Sequence, residues 1–254
     1  VCSSDLLRAV DAGGTPMPLR LGPDGTLGLP FTPGDTTWTI EWLQPQPLSW
    51  RTALPPLDLG GPAVNVDIEV EQPEGRWLVA LRGPAWGPVP EFWGHVLILM
   101  LLAPLLARLP WAPMNTRQWA LLGLGMTQVP WFAFFTVIVW LVATGWRREH
   151  PLHARPLPFV LTQLALALAT LVALGSLYAA LHAGLLWQPD MQISGNGSYD
   201  THLRWFVDRL DGPVPDVTIY STPLLAWRLL NLAWALWLAA ALVRWAPWTV
   251  ESLG

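Results

Sequence analysis

The chain has 254 residues, of which 52% are hydrophobic and 13% charged, where an ordinary soluble domain carries about 25% charged residues. A net charge of -4 with no basic stripe excludes a nucleic-acid partner. A single cysteine, Cys2, excludes a disulfide framework and a thiolate metal site.

Of 18 acidic residues, 11 precede residue 92, where long apolar runs begin. That polarity points to an integral membrane protein with a polar N-terminal domain. All 14 basic residues are arginine. With so much Ala, Leu, Pro and Trp, this composition suggests a GC-rich bacterial genome and speaks to codons rather than chemistry.

Residues 1–15 are expected to be an artefactual or unstructured start, because Val1-Cys2-Ser3-Ser4-Asp5-Leu6 matches the translation of a common sequencing adapter. An intact upstream reading frame encoding these residues would refute that expectation. No signal peptide is visible, which in a truncated chain carries no meaning.

Residues 16–82 alternate with period two between turn signals, so 16–91 is predicted to be a β-sandwich-like domain and its Pro/Gly linker. In TTWTIEW (36–42), Trp38, Ile40 and Trp42 share one face, and Thr37, Thr39 and Glu41 share the other. In PAVNVDIEVEQ (62–72), Val64, Val66, Ile68 and Val70 oppose Asn65, Asp67, Glu69 and Glu71, the pattern of a half-buried strand with one wet face. QPEG (72–75) followed by RWLVALR (76–82) predicts a hairpin. GPDG (22–25) and TPGD (32–35) read as further turns, and GPAWGPVPE (83–91) reads as a stiff linker.

Residues 92–254 read as a membrane α-helical bundle of about four transmembrane helices, at 92–109, 118–146, 158–187 and 223–246. The second breaks at Gly123, Gly125 and Pro130, so 118–128 is expected to lie flat or re-enter while 129–146 crosses. LGLG (122–125) serves either close helix approach or the kink before Pro130. Trp93, Trp111, Trp131, Trp146, Trp187, Trp227 and Trp245 fall near segment ends, the depth amphipathic rings prefer. Trp234 and Trp237, in mid-segment, are expected to pack between helices or face lipid. Within 188–222, DTHLRWFVDRLDGP (200–213) reads as an amphipathic surface helix near 200–210, with Leu203, Phe206, Val207 and Leu210 on its apolar face.

Three constellations invite chemical readings. Glu149, His150 and His153 resemble a zinc-peptidase pattern, but Pro151, Pro156 and Pro158 break the helix that such ligation needs; a charged loop and topology marker is the stronger reading. SGNGS (194–198) lacks the strand–turn–helix context of a nucleophile elbow and reads as a turn, its N-x-S sequon being incidental. The candidate functional polar residues are His182, near the end of the third segment with Ser176 and Tyr178, and Arg228 and Asn231 in the fourth. Arg228 can snorkel to the interface, His182 suits an interfacial or bridging role, and His95 is likewise interfacial. No crossing segment holds a mid-membrane Asp or Glu, which argues against a proton-coupled carrier. No catalytic, cofactor-binding or metal-ligating residue is assigned, and no cofactor is expected.

PGDTTWTIEW (33–42), PAVNVDIEVE (62–71), QWALLGLGMTQVP (118–130) and MQISGNGS (191–198) together resemble a group of uncharacterised bacterial envelope membrane proteins. In that group an extracytoplasmic β-rich region precedes a C-terminal bundle of transmembrane helices, with no assigned activity. The resemblance implies a β domain facing the periplasm. With four crossings it also puts the Arg147–Arg155 loop outside, against the positive-inside rule.

The expected function is therefore a non-enzymatic integral protein of the bacterial inner membrane. Its helices would anchor it in the lipid bilayer, and its β domain would hold another envelope protein or a glycan. The alternative is a small-solute transporter or membrane-embedded enzyme built on the broken second segment, His182, Arg228 and Asn231.

Overall fold

The computed structural model describes residues 7–18, 22, 27–30, 33–45, 47, 49–111, 113–150, 156–187, 189 and 191–253. Residues 1–6, most of GPDG, Thr32, His153 and Arg155 lie outside them, as do the expectations that rest on those residues. The chain divides into two compact units, Val1–Leu48 and Ser49–Gly254.

In the first unit, β1 (Leu7–Ala12) lies between β2 (Thr15–Pro16) and β3 (Trp38–Trp42), antiparallel to both. Gly13 and Gly14 turn β1 into β2 with φ of 59° and 87°, a conformation that suits the right-handed twist of a two-residue hairpin. The Gly14 N–H donates to Asp11 Oδ1 at 2.6 Å. On β3, Trp38, Ile40 and Trp42 are half-buried while Thr39 and Glu41 are exposed. The expected unstructured start is corrected here: Leu7–Ala12 is a strand, held by its pairing with β3.

In the second unit, β4 (Arg51–Ala53), β5 (Ala63–Glu71), β6 (Arg76–Arg82) and β7 (Val89–Pro90) precede α1 (Phe92–Leu106). Next come α2 (Thr116–Gly125), α3 (Trp131–Glu149) and α4 (Pro156–Leu186). The chain then returns to strands β8 (Ile193–Ser194), β9 (His202–Leu210) and β10 (Thr218–Pro223), and ends in α5 (Leu224–Leu253).

The strands inserted between α4 and α5 complete the sheets begun before α1. β9 pairs with β5, β10 lies between β4 and β6, and β8 pairs with β7. Ile68, Trp77, Leu78, Leu203, Trp205, Val217 and Ile219 form the core that these sheets share.

Two expectations change accordingly. The surface helix near 200–210 is strand β9, on which buried Leu203 and Trp205 alternate with Arg204 and Phe206. Spacings of four and seven among Leu203, Val207 and Leu210 fit a helix as well, and pairing with β5 decides between the two. The QPEG turn forms, with Gly75 at φ 80°, but β5 and β6 do not pair as a hairpin. They part into different sheets, β5 to β9 and β6 to β10.

The expected bundle of four transmembrane helices after an all-β domain is also corrected. Among the described residues there are five helices, and two are long and apolar enough to cross a membrane. These are Phe159–Leu186, with mean hydropathy 2.1, and Leu224–Pro247, with 1.5. α1 has 15 residues, about 22 Å at 1.5 Å per residue, against about 30 Å of hydrocarbon. The second expected segment is broken into α2 and α3, with Pro130 at the N-cap of α3. α2 is only 10 residues long, and its start carries a capping box in which Asn115 and Gln118 bond one another's backbone N–H. α3 is long enough, but its tryptophans and its Arg147-Arg148-Glu149 end dilute its apolar character, and it is not among the candidate spans.

The glycines of LGLG serve close approach. A Cβ on Gly123 would stand 3.1 Å from Leu99 of α1, and one on Gly125 would overlap the indole of Trp234 of α5. That indole donates to the Leu121 carbonyl at 2.9 Å. Trp234 thus packs between helices, and Trp237 packs partly buried against the same core. Of the tryptophans near segment ends, Trp93, Trp146 and Trp187 are exposed, whereas Trp227 and Trp245 are buried.

Helix directions follow from the strands. β7 leads directly into α1 and β10 directly into α5, while α4 ends just before β8. The Leu224 N–H donates to the Gly75 carbonyl at 2.9 Å, and the Glu91 N–H to the Gln192 carbonyl at 3.0 Å. Trp77, Phe92 and Trp227 cluster where these ends meet, Phe92 edge-on to both indoles and the Trp77 and Trp227 centroids 4.6 Å apart. The start of α1, the end of α4 and the start of α5 therefore adjoin the β domain. The end of α3 and the start of α4 lie at the far end, because α4 is a continuous helix of 31 residues, about 46 Å long. The α1–α2 link lies there too, since the Trp111 backbone packs on Gly145.

The sequence-based parity is thus reversed. Strands β8–β10 share a side with β4–β7, and Arg147 and Arg148 stand at the opposite end of the helices.

Candidate functional site

A cleft of about 420 Å³ opens where the strands meet the helices. α1 supplies one wall. Glu91, at its N-cap, His95 and Leu99 follow at intervals of four, so they stack on one helix face and descend away from the strands. The opposite wall comes from the end of α2 (Gly123, Met126, Thr127), the link Gln128–Pro130, and Trp131 and Phe134 of α3; Gln192, just before β8, closes the top.

The cleft is amphipathic along its depth. Glu91, His95, Gln128 and Gln192 line the strand side, while Leu99, Gly123 and Phe134 form the floor. The His95 imidazole packs edge-on against Trp131, with centroids 5.2 Å apart. The Ser194 hydroxyl donates a short hydrogen bond to the Glu91 carboxylate, which fixes β8 to the start of α1. Thr127 Oγ1 donates to the Leu124 carbonyl at 2.9 Å, and Gln192 Nε2 donates to the Thr127 carbonyl at 3.4 Å. Among the described residues Gln128 Nε2 is buried without a partner, an unusual state for an amide donor. The end of α2 presents the negative end of a helix dipole.

The residues singled out in the sequence lie elsewhere. His182 is half-buried on α4, beside Tyr178 and Trp187. Arg228 is exposed in the first turns of α5. Asn231 is buried, donates Nδ2 to the Trp227 carbonyl at 3.1 Å, and lies against Gly184 of α4. It thus serves helix packing, and no cavity brings the three together among the pockets described. At the opposite end, His150 stacks on Trp146 and its Nδ1 lies 3.0 Å from that residue's carbonyl oxygen. Arg147 is buried over the ring of Phe159. Among the described residues no three His, Cys, Asp or Glu side chains converge as metal ligands.

Sequence reasoning noted His95 only as interfacial and missed Glu91, Gln128 and Gln192. The usable signal was the E-x-x-x-H spacing of 91–95 at a helix start. Nothing local pairs Gln128 with Gln192.

On the β domain, Trp50 is exposed and lies 6.3 Å from Tyr220, beside Arg51. Arg204 donates Nε to Asp67 Oδ1 at 3.0 Å and approaches Glu69 at 3.5 Å. The Asp67 hydrogen bond, then its charge, raises the guanidinium above its ordinary value. Comparison of the chain with protein-family models, curated proteins and solved structures finds no match.

Proposed function

We propose that this chain is a non-enzymatic integral membrane protein of the bacterial cell envelope, in which α4 and α5 cross the inner membrane, α3 carries the chain across between the early strands and α4, and the β domain stands outside the cytoplasm as a binding module. The observation that carries the reading is the joining of β8–β10 to β4–β7. It makes both long helices meet the same side of the β domain, so α4 returns the chain to the strands and α5 leads away from them, and α3 supplies the outward-to-inward passage that precedes α4.

Two further features support it. Leu161, Leu164, Leu168 and Leu171 of α4 and Leu229, Leu230, Leu236 and Val243 of α5 are exposed, an apolar surface larger than a monomeric soluble protein presents to water. Arg108, Arg117, Arg147, Arg148 and Arg244 lie toward the end of the helices away from the strands, the side that the positive-inside rule assigns to the cytoplasm. The conflict between arginine count and an extracytoplasmic β domain thereby disappears. Exposed Trp50, with Arg51 and half-buried Tyr220 beside it, suits a glycan face or a partner protein in the envelope.

Membranes washed with alkaline carbonate should retain the chain. A fluorescent protein fused after Gly254 should fluoresce, because α5 runs from the strands toward the arginine side. Release into the supernatant would overturn the membrane reading. A dark fusion at that site, paired with an active alkaline phosphatase fusion, would overturn the orientation.

A further inference from the structure

We infer that the cleft between α1 and α3 holds the headgroup of an amino-phospholipid from the leaflet beside the β domain, an inference that rests on the membrane reading above. The polar mouth and apolar floor of the cleft match the order of groups in such a lipid. At the mouth, the carboxylate of Glu91 is the acceptor for a primary ammonium. The Trp131 indole lining the cleft and the carbonyl end of α2 favour the same positive charge.

One helical turn lower, about 6 Å away, His95 offers a ring N–H. Gln128 contributes its Nε2, which has no partner among the described residues. Both suit the phosphate oxygens that follow the ammonium. Leu99 and Phe134 line the depth below, where the start of an acyl chain would lie. The gap itself has a cause: α1 packs on α2, whereas α3 packs on α4 and α5, so α1 and α3 meet at the His95–Trp131 ring pair and leave the cleft between them. The phosphatidylglycerol headgroup lacks the ammonium and would set its net negative charge against Glu91.

The test uses the full chain, purified in detergent and supplied with phosphatidylethanolamine, phosphatidylcholine or phosphatidylglycerol, with retained lipid read by native mass spectrometry. Phosphatidylethanolamine should be retained about tenfold better than phosphatidylglycerol, and Glu91→Gln should remove about that factor. Equal retention of all three lipids would mean a nonspecific lipid shell and overturn the inference, as would selectivity that survives Glu91→Gln. Soluble phosphoethanolamine that competes as well as the lipid would mean a water-borne ligand and overturn it too. The lipid comparison on the unaltered protein decides the matter even where the variant fails to fold. A chain that resists carbonate but shows no headgroup preference refutes this inference alone; a chain that carbonate releases refutes the membrane reading as well.

Discussion

Arg204, which lies between the two long helices in sequence, bonds Asp67 at 3.0 Å, although Asp67 precedes the first helix. Both are exposed, and an exposed pair contributes little to stability. Its value is topological, because residues on opposite sides of a bilayer cannot meet.

That relationship is testable by crosslinking. Glu69 and Arg204 are register partners on β5 and β9, and antiparallel partners stand about 4.5–5.5 Å apart between Cα atoms, within disulfide reach. In a Cys2→Ser background, Glu69→Cys with Arg204→Cys should crosslink under mild oxidation. The product should migrate as a compact species on non-reducing gels. No crosslink would contradict the β5–β9 pairing.

Helix contact through glycine gives a second prediction. A Cβ on Gly145 would stand 1.7 Å from the Trp111 carbonyl oxygen, and one on Gly125 1.8 Å from the Trp234 ring, whereas one on Gly175 would meet nothing within 4 Å. Gly145→Ala and Gly125→Ala should each cost about 1–3 kcal/mol or more through overpacking. Gly175→Ala should be neutral or gain up to about 1 kcal/mol from helix propensity. Thermal unfolding in detergent reads all three.

The β domain depends on Trp205, which is fully buried and fills the space left open by Gly83 and Gly87; a Cβ on either would lie within 2.4 Å of its ring. Trp205→Ala should cost about 3–5 kcal/mol. Trp86→Ala should stay within about 0.5 kcal/mol, since that ring is 72% exposed and its strand contact runs through the backbone carbonyl that accepts from Phe206. Denaturant melts of the full chain separate the two outcomes.

His182 and Arg228 offer a check on the transporter or enzyme alternative. Neither they nor Asn231 line the cleft between α1 and α3, so His182→Ala combined with Arg228→Ala should leave accumulation unchanged and stability within about 1 kcal/mol. A lost cellular phenotype at normal protein level would revive that alternative.

What the sequence made legible was local. Alternation along 62–72 gives a strand, and Ile68 is buried as its phase requires. Val64 is 65% exposed despite sharing that phase, and its neighbour Asn65 takes φ 55°, a feature no hydrophobic pattern carries. The break at Pro130 is where the chain changes helix. Pairing was not legible, since β5 finds β9 across four helices and no local signal names a partner so far along the chain. That one hidden pairing turned a strand into an expected helix and reversed the side assigned to 188–222. The cleft was hidden for the same reason: Gln128 and Gln192 mean nothing apart.

The most direct measurement is sidedness at two positions on a Cys2→Ser background. Asp211→Cys lies in the exposed turn after β9, and Glu149→Cys at the exposed end of α3. Intact cells with a permeabilised outer membrane would be treated with a membrane-impermeant maleimide. The account predicts labelling at position 211 before lysis and at position 149 only after it. The reverse pattern, or labelling of both before lysis, would contradict a β domain carried outside the cytoplasm above α3, α4 and α5.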